Sequence, residues 1–327
     1  ESAGMSCWRF LSALLVLAGG LATPASADNC TVTQVASLQM ADSFPGRVVV
    51  TGTIDGQPHT FMIDTGGFVS ELYDDVVQKL GLSTSAINPN VEIYDSGGNV
   101  RRRYVNVPKL ALGAVQADTK IMMVKPRRPG KDIGIDGTIG PDVLEHVDVE
   151  LDFAGRKVNL ISQDHCEGKV VYWSDRFTET DFALSDQHIV IPMMLDGQEV
   201  KAIVDTGAPL TYLNETVSHR LFGIDSKSPG IERDPGAPPD SPDAYRYRFK
   251  SLSVAGVMVK NPLIGIIPDR AHQAFSRRHT NKEDFDPVEA PRMSELQLLL
   301  GMNVLTKLHL YIAYKEHKLY ITAANAH

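Results

Sequence analysis

FMIDTGG, residues 61–67, drives an apolar run straight into an Asp-Thr-Gly turn. Alone this says little, because Asp, Thr and Gly are common turn residues and an Asp at a strand end often bonds its own backbone. AIVDTGA, residues 202–208, repeats the arrangement. Working outward, Asp55-Gly56-Gln57 precedes the first copy and Asp196-Gly197-Gln198 the second. After the turns, Ser70-Glu71-Leu72, Val76 and Leu80 answer to Thr211-Tyr212-Leu213, Val217 and Leu221. Every pair stands 141 residues apart without a gap, so the chain is an internal duplication.

Each copy reads as a hairpin that delivers a carboxylate. Val48 to Ile54 and Ile189 to Leu195 are rich in β-branched residues, and each is followed by a Gly-containing turn and a second run, Thr60 to Ile63 or Val200 to Val204, that ends at the Asp. The four-residue recurrence of Leu72, Val76 and Leu80, and of Leu213, Val217 and Leu221, predicts a short core-packed helix in each half. Gly137 to Gly140 leads into VDVELDFAGRKVNLI (147–161), and Leu299-Leu300-Gly301 into LHLYIAYKEHKLYI (308–321). Both are expected to be two strands around a turn, closing each half. Gly140 and Gly301 are 161 apart, so the second half carries insertions, assigned to the Pro/Asp-rich stretch 228–243 and the polar stretch 270–292. The first lobe is placed at 28–165, a linker at 166–180 and the second lobe at 181–327.

Composition bounds the function. With 327 residues, 43% apolar content and a net charge of -8, the chain is globular and large enough for two cores. Residues 5–27, MSCWRFLSALLVLAGGLATPASA, combine Arg9, an apolar run from Phe10 to Ala22 and the ending Ala25-Ser26-Ala27, the layout of a secretory signal. The run is short for a membrane span. Residues 1–27 are therefore expected to be a cleaved leader, and the protein to be exported to the periplasm or beyond without a stable membrane anchor. Cys7 leaves with the leader, and Cys30 and Cys166 remain as either a disulfide or two buried thiols. The histidines are scattered and no HExxH occurs, so neither a metal nor a cofactor is expected. Arg101, Arg102, Arg103, Lys125, Arg127, Arg128 and Lys131 read first as a solvated face and second as a preference for acidic substrates. A net acidic chain without interleaved aromatics is not expected to bind nucleic acid.

Apolar-apolar-Asp-Thr-Gly-x-x-x-Ser/Thr-x-Leu, followed by apolar-apolar-Gly and present twice, resembles the retropepsin-like aspartic proteases, with two copies fused as in the two-lobed pepsin arrangement. The resemblance spans nearly the whole chain after the leader. It implies an all-β fold with short helices: two pseudo-twofold-related β-barrel lobes, the active site at their interface, and flap hairpins over a peptide groove. One chain then suffices for a complete site.

Two carboxylates held about 3 Å apart cannot both ionise readily, so the pair shares a proton and titrates as a unit. By this reading Asp64 and Asp205 activate a water for peptide hydrolysis without a covalent intermediate. Gly66 and Gly207 let backbone N–H groups approach the carboxylates, and Thr65 and Thr206 resemble the family's pair that bonds across the interface. Ser70 and Thr211 complete the supporting set. Gly67 and Ala208 stand where pepsin-like enzymes often carry a hydroxyl donor, which predicts a weakly acidic to neutral optimum. Val91 to Val107, with arms around Gly97-Gly98-Asn99, is the candidate first flap, placing Tyr94 over the groove, and a second flap is sought near Tyr245 to Phe249. The leading function is an exported aspartic endopeptidase acting on peptide or protein substrates. A non-catalytic peptide binder using the same groove is the alternative, and an inert envelope protein the third class.

Overall fold

A computed structural model describes residues 30–89, 93–94, 100–130, 134–234, 244–267 and 297–325. The stretches expected as a leader, 1–27, and as an insertion, 270–292, lie outside the described residues.

Two tight hairpins begin the two halves. Val49–Ile54 pairs with Gln57–Ile63, and His188–Leu195 with Gln198–Val204, in unbroken antiparallel register. Each is joined by a two-residue Asp-Gly turn with positive φ at both positions, 47° and 76° at Asp55-Gly56 and 44° and 82° at Asp196-Gly197. That backbone twist matches the twist of the flanking strands, and glycine adopts it without a Cβ clash. The register turns Phe61 and Ile63 inward in the first half and Val200, Ala202 and Val204 in the second, all fully buried. Burial of each larger side chain among these stabilises its lobe by roughly 1.5–3 kcal/mol.

The first barrel runs Val49–Ile54, Gln57–Ile63, Gly137–Ile139, Glu71–Tyr73, Val115–Lys125, Arg103–Leu112, and the last strand closes on the first through Thr53 and Ala111. The second half repeats this order with His188–Leu195, Gln198–Val204, Leu298–Leu300, Tyr212–Asn214, Leu263–Ile267 and Tyr245–Arg248. Its long hairpin is broken, however, and Ser251–Val254 and Val257–Lys260 form a separate pair against His188–Leu195. Asn261, at φ 51°, and Pro262, which has no N–H for a ladder, mark the break.

Helices follow at Asp74–Lys79 and Glu215–Phe222. Leu72 and Leu213, expected on the helical stripe, instead lie on the preceding strands, because Leu72 pairs with Gly137 and Val124 and Leu213 with Leu298 and Ile266. Ladder bonds on both sides override the four-residue period. In the 228–243 stretch, expected as loop, Glu232–Arg233 pairs with Tyr245–Arg248, and residues 235–243 lie outside the described residues.

The larger correction concerns the strands expected to close each half. They join the halves instead. Asp148–Asp152 pairs antiparallel with Leu308–Ala313 at the centre of a six-stranded sheet, flanked by Lys157–Ile161 and Gln34–Gln39 on one side and by Lys318–Ala323 and Thr178–Asp181 on the other. At this seam buried Glu150 faces His309 Nε2 at 2.7 Å, accepts from Asn159 Nδ2 at 2.7 Å and accepts from the Tyr172 hydroxyl. Neighbouring Asp148 faces His165 Nε2 at 2.6 Å and accepts from the Tyr311 hydroxyl and the Tyr314 N–H. Stretch 166–180, expected as a linker, is packed on this sheet: Val170 is buried, Trp173 stacks on His309 with centroids 4.2 Å apart, and Thr178–Asp181 is a sheet strand. Cys30 and Cys166 form a disulfide that ties the start of the described chain to this stretch.

Candidate active site

The two hairpins end at Asp64 and Asp205, and matching strands fix both. Asp64 N–H donates to the Ile139 carbonyl and Asp205 N–H to the Leu300 carbonyl, each at 3.0 Å. Each strand that accepts the bond runs parallel to the hairpin arm carrying the Asp. Both chains then turn tightly. Gly66 N–H donates to Asp64 Oδ1 at 3.1 Å, whereas Asp205 Oδ1 accepts from Gly207 at 2.8 Å and Ala208 at 3.0 Å.

The turns interlock through their threonines. Thr65 Oγ1 donates to the Val204 carbonyl and Thr206 Oγ1 to the Ile63 carbonyl, both at 2.7 Å. Reciprocally, Thr65 N–H donates to Thr206 Oγ1 at 3.0 Å and Thr206 N–H to Thr65 Oγ1 at 3.1 Å. Four backbone groups, two from each half, are satisfied across an interface where both threonines are fully buried.

The glycines have a role beyond admitting N–H groups. Each faces the other half's carboxyl group: a Cβ on Gly207 would sit 2.5 Å from Asp64 Cγ, and one on Gly66 closer still to Asp205 Cγ. The two acids therefore pack against each other's turns. Burial raises the Asp64 pKa above its ordinary 3.8, with Lys125 opposing and Glu71 adding to the rise. Burial first and the charge of Asp64 second push Asp205 up to about 8. The pair thus retains its last proton across the acidic and neutral range.

Behind the turns lies a second symmetric set. Ser70 Oγ donates to Asp142 Oδ1 at 2.8 Å and accepts from Gly140 N–H at 3.0 Å. Thr211 Oγ1 likewise donates to Asn303 Oδ1 at 2.8 Å and accepts from Gly301 N–H at 3.1 Å. Asp142 and Asn303 escaped the sequence reading. Their signal was present, since Gly140-x-Asp142 and Gly301-x-Asn303 share the 161-residue offset of the two glycines.

Of the flap, Ile93–Tyr94 pairs with Val100–Arg101, while Gly97 and Gly98 lie outside the described residues. Of the stretch expected as its second arm, Arg103 onward belongs to the barrel. Arg101, Lys125 and Arg127 are not a solvated face. Arg101, 3% exposed, donates through Nε to Glu71 at 2.6 Å, and Lys125 reaches the other Glu71 oxygen at 2.8 Å. Arg127 pairs with Asp75 at 2.8 Å and lies 4.0 Å from the Tyr73 ring centroid. Glu71 thus anchors the flap base beside Ser70. Arg102, Arg103 and Arg128 are exposed, and Lys131 lies outside the described residues. Tyr245–Arg248, part of the stretch where a second flap was sought, is a barrel strand, and its pairing with Glu232–Arg233 matches that of Arg103–Leu112 with Thr84–Ala86 in the first half.

Among the described residues no group of three or more His, Cys, Asp or Glu side chains is arranged to hold a metal ion. No helix among them is long and apolar enough to cross a membrane.

No curated protein matches the chain. Among solved structures, the crystal structure of the aspartic proteinase from Irpex lacteus aligns over 89% of this chain and 97% of its own, at 12% identity and a TM-score of 0.47. The aspartyl protease family model matches residues 50–143 and 191–304, more than half of the chain, with one match over each Asp-Thr-Gly turn. This duplicated chain belongs to the aspartyl protease family.

Proposed function

We propose that the protein is an exported aspartic endopeptidase in which Asp64 and Asp205 form the catalytic dyad. One observation carries this reading: each acid packs against the other half's turn glycine, so both carboxyl groups converge at the lobe interface. In the singly protonated pair, the ionised acid takes a proton from a water molecule as its oxygen adds to the scissile carbonyl carbon. The protonated acid donates to the carbonyl oxygen, which becomes the second hydroxyl of a tetrahedral diol. Collapse returns one hydroxyl proton to the ionised acid, passes the proton held by the other acid to the leaving nitrogen and breaks the C–N bond. The products are a carboxyl and an amine, and the dyad ends singly protonated. The high retention of the last proton, about 8 at Asp205, supports a dyad that stays singly protonated through the weakly acidic and neutral range. Export is supported by the signal-like layout of residues 5–27 and by the Cys30–Cys166 disulfide, which suits an oxidising compartment.

The test is digestion of a mixed peptide library across a pH series, with Asp64→Asn and Asp205→Asn variants and a statine-type inhibitor in parallel. Cleavage that disappears in both variants and is blocked by the inhibitor supports the dyad. Cleavage that survives either substitution refutes it.

A further inference from the structure

His188 is a buried titratable group outside the dyad that joins the two halves. It opens the strand His188–Leu195, directly after a two-residue turn, Asp186-Gln187, closing Ala183–Ser185 onto that strand. Both turn residues have positive φ, 48° and 69°. Asn-Gly or Asp-Gly ordinarily serves such a turn, and a glutamine held there is strained. The backbone is thus forced into a shape that aims the imidazole at the first half.

The ring is 3% exposed. Nδ1 lies 3.2 Å from the Ser185 carbonyl oxygen, and Nε2 lies 3.0 Å from the Gly66 carbonyl oxygen. Carbonyl oxygens only accept hydrogen bonds, and a neutral imidazole has one N–H and one lone pair. A neutral ring therefore satisfies one of the two contacts and turns a lone pair toward the other oxygen. The imidazolium donates to both. Gly66 is also the residue whose N–H bonds Asp64 Oδ1.

We infer that His188 is a positioning residue which, as the imidazolium, clamps the Gly66 turn of the first half to the Ser185 hairpin of the second, and releases it on losing a proton. The inference rests on the dyad reading above and adds a second titration to it. Among the described residues, the carboxylates of Asp64 and Asp186 act on the ring and both favour the cation, and the Phe68 ring lies 6.4 Å away. Burial outweighs them and the two carbonyls, and holds the ring below its ordinary 6.5. The dyad keeps its last proton to about 8. Release of the clamp therefore precedes titration of the dyad, so kcat/KM falls on the alkaline side earlier than the aspartates alone dictate.

The experiment pairs a pH profile of peptide cleavage, for wild type and His188→Gln, with 15N NMR of the histidine rings assigned by that variant. In the wild type, the alkaline limb is expected below pH 6.5 and to coincide with a His188 transition whose acid form carries protons on both ring nitrogens. In His188→Gln the limb moves toward pH 8, and cleavage on the acidic side falls about tenfold with the loss of one charged bond. A neutral ring in a single tautomer throughout the range overturns the inference, and so does a limb unchanged in the variant. If the wild type cleaves nothing, the protease reading fails separately. The NMR transition then decides alone, with Asp64→Asn expected to lower the His188 pKa further and an unchanged value refuting the coupling.

Discussion

Thr206→Val is the sharpest probe of how the halves are held together at the Asp turns. Valine matches threonine in shape but has no hydroxyl, so packing is kept while two hydrogen bonds vanish. The Ile63 carbonyl loses its 2.7 Å donor and the Thr65 N–H its 3.0 Å acceptor, both deep in the interface. A buried backbone group left unpaired costs roughly 1–3 kcal/mol, which places the sum at about 4 kcal/mol. Against a total stability of about 5–15 kcal/mol this is a large fraction. At about 2–4 °C per kcal/mol for a protein of this size, the unfolding midpoint should drop by roughly 8–16 °C in calorimetry. Thr206→Ser keeps the hydroxyl and should lose far less, which separates the hydrogen bonds from the methyl contact. The turn that carries Asp64 loosens as well, so kcat should fall more than KM rises. A Thr206→Val protein melting within about 2 °C of wild type would show that the reciprocal threonine bonds do not hold the interface.

Other perturbations reach different parts of the molecule. Gly66→Ala and Gly207→Ala each place a methyl inside the opposite carboxyl group, so peptide cleavage should drop by more than about a hundredfold while the far-ultraviolet circular dichroism is retained. Substantial activity in either variant refutes the packing of acids on turns. Cys166→Ser opens a link between residues 136 apart in sequence, and chain-entropy reasoning puts the loss at up to about 5 kcal/mol, read as a lower urea midpoint that added reductant no longer changes. For Glu150, burial opposes ionisation, but the hydrogen bonds from His309, Tyr172 and Asn159 outweigh it and hold the carboxyl below 4.5. Its contribution is therefore complete above pH 4.5 and is lost as the pH falls through the lower folded value. Glu150→Gln should unfold more easily by about 3 kcal/mol at neutral pH and lose that part of the acid sensitivity, as measured by urea titrations at several pH values.

What the sequence disclosed, and what it hid, follows from how each contact is encoded. The Asp turns and their hairpins were legible because a gapless 141-residue repeat and Asp-Gly turns are local signals. Asp142 and Asn303 were hidden because the offset changes to 161 after the insertion. The joining of Asp148–Asp152 to Leu308–Ala313 left no local mark, since an alternating strand reads the same whether its partner is nearby or in the other half. Charge runs misled for a related reason. Arg101 and Lys125 meet Glu71 only once three separate strands come together, and a linear scan sees two cations without their shared anion. His188 gave no motif at all, because its partners are two backbone carbonyls.

The seam between the halves also records what the duplication has given up. Glu150 pairs in register with Tyr311, its own counterpart at the 161-residue offset, so a pseudo-twofold axis passes between them. A first half separated from the chain and docked on a second copy of itself would set Glu150 against Glu150 and Asp152 against Asp148. The two Glu150 carboxylates would then lose water side by side without His309 to answer them, at several kcal/mol each. The second half answers with His309, Tyr311 and Ala313 at those positions. The two lobes have become a lock and its key carried on one polypeptide, and neither can any longer stand in for the other.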